Sequence, residues 1–164
     1  MGMRVQISRS LVDELLHAAA ASPALEICGL LLGGEGRIDA ILPAANVAAD
    51  PARRFEIDPA TLFAAHRAAR AGGAQVVGHY HSHPTGLAEP SPRDAEQAVG
   101  GEYWLVLAGG EARLFVATRV GAIAGRFEAV ELEPARASLA SVAASAQKDA
   151  PAASSPHQPD APRS

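Results

Sequence analysis

The sequence predicts a mixed α/β domain in which a central mixed β-sheet is flanked by helices. Three observations carry this reading. Apolar residues at helical spacing (Leu11, Leu15, Leu16, Ala19) follow a short strand-like run near the N-terminus. The stretch Gln75 to Ser82 alternates from Val77 onward as a strand does, and further strand-like runs recur towards residue 132. Glycine clusters at 33–36 and 109–110 join neighbouring strand-like runs in the manner of hairpins.

Taken in order, Arg4 to Ser8 reads as a strand, and Ser10 is placed to cap a helix that continues until Pro23. Leu25 to Leu32 is a nearly continuous apolar run, the signature of a buried strand, and it turns at Gly33, Gly34 and Gly36 into a second strand, Arg37 to Leu42. Ala44 to Arg54 is a polar loop, after which Phe55 to Ile57 is extended. Asp58-Pro59 then supplies an N-cap followed by proline at the first helical position, and this helix runs to Gly72-Gly73. Beyond Gln75 to Ser82, His83 to Pro90 is a loop rich in Pro and Gly, and a short helix begins near Ser91-Pro92. Tyr103 to Leu107, Arg113 to Ala117 and Arg126 to Leu132 read as three more strands. No internal repeat is visible.

A chain of 164 residues has room for one domain, since domains cluster at about 100 to 150 residues. We read residues 1–133 as that domain. From Pro134 to Ser164 the composition shifts to Ala, Ser, Pro and Gln, with too little apolar surface to order a segment, so a disordered tail is expected there. Only seven residues are aromatic, so the core has to rest on Leu, Val, Ile and Ala.

The net charge of -4 and the absence of a basic face argue against nucleic acid as a partner. The N-terminus carries no apolar run with a small-residue cleavage site, and no stretch reaches the roughly 18 apolar residues of a membrane span. The expectation is a soluble, cytoplasmic protein that does not engage a membrane, with association of identical chains left open. A single cysteine, Cys28, excludes an intrachain disulfide and the zinc-finger cysteine spacings.

The chemistry gathers in three places. Residues two apart on a strand face the same side, so His79, His81 and His83 project together, and two such imidazoles can converge on one ion. Hydrolytic zinc sites commonly take three protein ligands and leave a fourth position for water. Asp94, at the start of a helix just beyond a loop, is placed to fold back over the histidines as the third. Ser91-x-x-Asp94 also has the form of a helix cap with an acidic third position, and both roles can hold at once. Glu26 is the only ionisable side chain in its apolar run, and burying an unpaired carboxylate is costly enough to require a reason.

Glu26 within Pro23-Ala-Leu-Glu-Ile-Cys-Gly-Leu-Leu-Leu-Gly33, together with Gly78-His-Tyr-His-Ser-His-Pro84 and Pro90-Ser-Pro-Arg-Asp94, resembles the JAMM motif of the MPN domain zinc metalloproteases. That pattern is a Glu, then His-Ser/Thr-His-Pro, then Ser-x-x-Asp after seven residues counting the proline. The resemblance extends over about Arg4 to Glu133 and takes in Asn46, Phe55 to Pro59 and Tyr103-Trp104-Leu105. It is closest in kind to small bacterial-type members.

The resemblance implies an MPN/JAB-type fold with a layer arrangement similar to that of cytidine deaminases. It implies one zinc ion per chain on His81, His83 and Asp94, with Glu26 as general acid and base and Ser91 stabilising the tetrahedral intermediate. The implied activity is a peptidase or isopeptidase acting after the C-terminal tail of a ubiquitin-like or sulfur-carrier protein. A non-catalytic scaffold that binds such a partner is the alternative, and it is disfavoured because every motif residue is present. His79 falls outside the motif, as a supporting group or a rival ligand. Cys28 reads as a small buried residue rather than a nucleophile or fourth ligand. Zinc deaminase chemistry is excluded, since neither His-x-Glu nor Pro-Cys-x-x-Cys occurs.

Overall fold

The expected strands and helices all form, in the order β1 (Arg4–Ser8), α1 (Arg9–Ala20), β2 (Cys28–Gly34), β3 (Arg37–Ala44), α2 (Pro59–Arg70), β4 (Gln75–Ser82), α3 (Pro92–Gln97), β5 (Tyr103–Ala108), β6 (Glu111–Ala117) and β7 (Phe127–Ala135). The computed structural model describes residues 2–135. The disordered tail expected from Pro134 does not start there, since Pro134 and Ala135 end β7 paired with Ile7 and Ser8; the rest of it, 136–164, lies outside the described residues. No helix among the described residues is long and apolar enough to cross a membrane.

The sheet is mixed and closes on itself in the order β1-β3-β2-β4-β5-β6-β7. Closure comes from β1, which pairs in parallel with both β3 and β7. Three hairpin-type antiparallel contacts, β2 with β3, β5 with β6 and β6 with β7, are local in sequence. β4, the strand that carries the histidines, sits between β2 (antiparallel) and β5 (parallel). A central strand of this kind has both backbone edges paired, which fixes its register and hence the direction of every side chain it carries. Gly78 makes the β4–β5 approach possible, because a Cβ there would run into the backbone of Tyr103.

Alternation along the strands divides the core between the two faces of the sheet. Leu31, Tyr80, Leu105 and Leu107 pack with Val5, Ile7 and Leu15, against which α1 lays Leu11 and Leu16. Cys28, Trp104 and Val106 point the other way, into a second cluster with Phe55, Ala95, Ala98, Phe115 and Phe127. Ala95 on α3 and Ala98 at its C-cap are buried in that cluster, which draws Asp94 in towards β4.

Two local expectations are corrected. The cap of α1 is Ser8 rather than Ser10: Ser8 is extended, and its hydroxyl accepts from the Leu11 N–H at 3.2 Å, while Ser10 lies inside the first turn. The second strand begins at Cys28, not Leu25, so Glu26 stands just outside the sheet. The Glu26 N–H donates to the Pro51 carbonyl at 2.8 Å and the Ile27 N–H to the Ser82 hydroxyl at 2.9 Å. Donors committed to a loop and a side chain are not free for the ladder.

Candidate metal centre

Each element end delivers one component. β4 ends at Ser82, with His81 fully buried on it and His83 just beyond. The pleat sends Tyr80 and Ser82 to one side and His79 and His81 to the other, where Phe55 and Trp104 receive them. Asp94 is the third residue of α3 and completes a capping box: Ser91 Oγ accepts from the Asp94 N–H at 3.1 Å, and Asp94 Oδ2 accepts from the Ser91 N–H at 2.7 Å.

The same Oδ2 lies 3.2 Å from His81 Nε2 and 3.4 Å from His83 Nε2, and the two imidazole nitrogens are 3.0 Å apart. Ligands about 2.0 to 2.2 Å from a tetrahedral zinc ion are separated by about 3.3 to 3.6 Å, so this triangle has nearly the size such an ion requires. Its chemistry fits too. His83 Nδ1 donates to the Leu87 carbonyl at 3.0 Å, which leaves its Nε2 with a lone pair. A neutral His81 can turn its own Nε2 lone pair to the same point, and two imidazole nitrogens with a carboxylate oxygen at these separations fit a bound zinc ion.

Glu26 comes from the segment just before β2. Its carboxylate lies with the ligand atoms of His81 and His83 in a group whose members are all within 4.8 Å of one another. It is only 4% exposed. Its backbone is tied at both ends, by the Pro51 carbonyl and by Asn46, whose Nδ2 donates to the Glu26 carbonyl at 3.0 Å. Burial pushes the Glu26 carboxyl up to about 7, with the Asp94 charge adding to the rise and His83 and Arg93 opposing it.

The other groups separate by environment. Burial holds His81 neutral, below the usual imidazole range. Burial also opposes a charge on His83, but its hydrogen bonds to Asp94 and to the Leu87 carbonyl prevail and raise it. Burial alone would raise Asp94, yet hydrogen bonds from His81, His83 and the Ser91 backbone keep its carboxyl well below the carboxylate range.

The structure thus brings together Glu26, His81, His83 and Asp94, with Ser91 bonded to Asp94. His79 stays apart. Its ring packs edge-on against Trp104 at 4.1 Å, its Nε2 is 3.8 Å from Glu102, and burial lowers it to about 3. Cys28 is buried, its thiol lies 3.7 Å from the Ala45 carbonyl, and burial raises it to about 11, so it remains a thiol. The sequence reading gave two supporting residues no task of their own. Ser82, quoted there only within the motif, anchors Ile27 beside Glu26 through its hydroxyl. Phe55, quoted there within an extended stretch that the resemblance takes in, stacks on His81. Outside the centre, Arg53, Arg54 and Arg93 line a groove of about 650 Å³ that reaches Ser91.

With this geometry in hand, comparison with known proteins decides the family. The family described as prokaryotic homologs of the JAB domain matches the chain over residues 8–121. The chain belongs to that family. Among similar proteins, Desampylase from Haloferax volcanii is 36% identical over 91 residues, which cover 54% of this chain and 66% of that protein. A protein from Thermus thermophilus named Probable TtuB-protein conjugate cleaving protease is 32% identical over 97 residues, 59% of this chain and 65% of its own. The matched region spans just under two thirds of the length of these curated relatives. In three dimensions, this JAB-family chain is similar to a protein from Desulfitobacterium hafniense. The TM-score is 0.68 at 22% identity, over 81% of this chain and 94% of that one, a likeness of fold.

Proposed function

We propose that the protein is a zinc-dependent peptidase that hydrolyses the bond after the C-terminal tail of a ubiquitin-like, sulfur-carrier-type protein. The observation that carries this reading is the meeting of Glu26 with the buried His81–His83–Asp94 triangle. The family and the relative named for cleaving TtuB conjugates support the substrate class.

In this reading His81, His83 and Asp94 hold the ion. A zinc ion bound there supplies a Lewis acid and brings the pKa of water towards about 7. Glu26, with its carboxyl raised to about 7 by burial, is poised to take a proton from that water at neutral pH and return it to the departing amine. Ser91 Oγ already accepts from the Asp94 N–H, so its own proton is free to point at the oxyanion that develops on the scissile carbonyl. Because Pro51 and Asn46 tie the Glu26 backbone, the base needs little reorganisation before proton transfer.

Replacing Glu26 by Gln tests the assignment, since shape is kept while the proton acceptor is lost. Zinc content should be unchanged, and conjugate hydrolysis should fall by about 100-fold to 10,000-fold. Loss of zinc would make Glu26 a ligand; full activity would remove it from the chemistry. A parent protein that binds zinc and conjugate but cuts nothing would be a scaffold instead.

A further inference from the structure

The two histidines of the centre are held in different ways. His83 has the partner expected of a metal-binding imidazole, since its Nδ1 donates to the Leu87 carbonyl at 3.0 Å. His81 has none: among the described residues its Nδ1 is buried without a hydrogen-bond partner, and the side chain is 0% exposed. Such an imidazole is free to turn about its χ2 torsion unless something else fixes the plane of the ring.

Phe55 does so. Its ring lies on the His81 imidazole at a centroid distance of 4.3 Å and an interplanar angle of 18°, and Trp104 stands at 89° to that imidazole. Phe55 is itself held. Asn46 Nδ2 donates to the Arg54 carbonyl at 3.0 Å, and Asn46 Oδ1 accepts from the Glu56 N–H at 3.1 Å, so one side chain grips the backbone on both sides of the aromatic residue. The same Nδ2 reaches the Glu26 carbonyl. One amide therefore ties the aromatic residue over one histidine to the segment that carries Glu26.

We propose that Phe55 is a positioning residue for His81, its stacked ring doing for that imidazole what the Leu87 carbonyl does for His83. This rests on His81 being a zinc ligand. Phe55 has no group that could bind an ion or transfer a proton; it acts by setting the direction of Nε2. A side chain of similar bulk without a ring keeps the core filled but loses the fixed plane.

The test uses the full chain and three variants, Phe55→Met, Phe55→Leu and Phe55→Tyr. Zinc affinity is measured by competition with a chromophoric chelator, the cobalt-substituted proteins give absorption spectra, and melting of the metal-free proteins reports on the core. Phe55→Met and Phe55→Leu should bind zinc about 10-fold to 100-fold more weakly, the range seen when partners of metal ligands are removed. Their cobalt d–d bands should shift, while Phe55→Tyr restores parent affinity and spectrum. If either ringless variant binds zinc as the parent does and gives the parent's cobalt spectrum, Phe55 is only a core residue, whatever its melting temperature. A parent that binds no zinc overturns the ligand reading itself, a result visible before any variant is compared.

Discussion

Ile27 and Ser82 hold one another twice. The Ile27 N–H donates to the Ser82 hydroxyl at 2.9 Å, and the Ser82 N–H donates to the Ile27 carbonyl at 3.0 Å. Ser82 lies between His81 and His83, and Ile27 follows Glu26, so this pair joins the segment of the acid to the strand of the imidazoles. The hydroxyl therefore has a stated task in the His-Ser-His sequence.

Ser82→Ala should leave the Ile27 N–H without an acceptor, at a cost of about 1 to 3 kcal/mol in denaturant unfolding. Hydrolysis should fall more than zinc affinity does, because the displaced group is Glu26. Ser82→Thr keeps the hydroxyl and should retain most of both. Equal stability and turnover for Ser82→Ala and the parent would show that the bond does not matter.

Metal removal should destabilise the fold, since an ion held by folded residues and not by the unfolded chain stabilises by mass action. Chelation should lower the melting temperature of the parent, and added zinc should restore it. His81→Ala and His83→Ala should carry little zinc by elemental analysis and show no such response. Zinc retention by both variants would refute the ligand set.

The pH dependence of the metal-free protein should report on Glu26. Its folded-state pKa, about 7, lies above the ordinary 4.5, so the protonated carboxyl favours folding below about pH 4.5. That benefit is lost as pH rises through 7. Between pH 5 and pH 8, in chelator, the parent should therefore lose about 2 to 3 kcal/mol relative to Glu26→Gln. Parallel stability curves for the two proteins would mean that Glu26 is not buried as an acid.

Arg53, Arg54 and Arg93 form no ion pair among the described residues, and of the other groups lining their groove only Glu96 is acidic. Exposed charges of this kind act on encounter and approach rather than on proton transfer. Arg53→Ala with Arg54→Ala should raise KM for a conjugate by about threefold at low salt, with kcat little changed. The difference should fade as salt screens the groove. An unchanged KM at low ionic strength would dissociate the groove from substrate binding.

Much of this protein could be read from residue order. Strand and helix positions follow from period-2 and period-3.6 patterns that are local, as in Gln75–Ser82 and the Asp58-Pro59 start of α2, which the structure reproduces residue for residue. His81 was legible for the same reason, whereas His83 lies just past the end of β4 and is held by the Leu87 carbonyl rather than by the pleat. Ser91-x-x-Asp94 was legible as a cap, and the capping box is present.

Tertiary structure decided what depends on residues far apart. Glu26 leaves the apolar run it belongs to in sequence because Pro51, Asn46 and Ser82 take its neighbourhood's hydrogen bonds, and no periodicity reports on bonds across 20 to 55 residues. Likewise the sheet closes through β1 and β7, at opposite ends of the described chain, and Phe55 reaches His81 only once α2 and β4 have packed. Residue order determined which side chains could do chemistry and on which local face they stood; packing and hydrogen-bond satisfaction of distant segments determined which of them met, at what distance, and in what state of protonation.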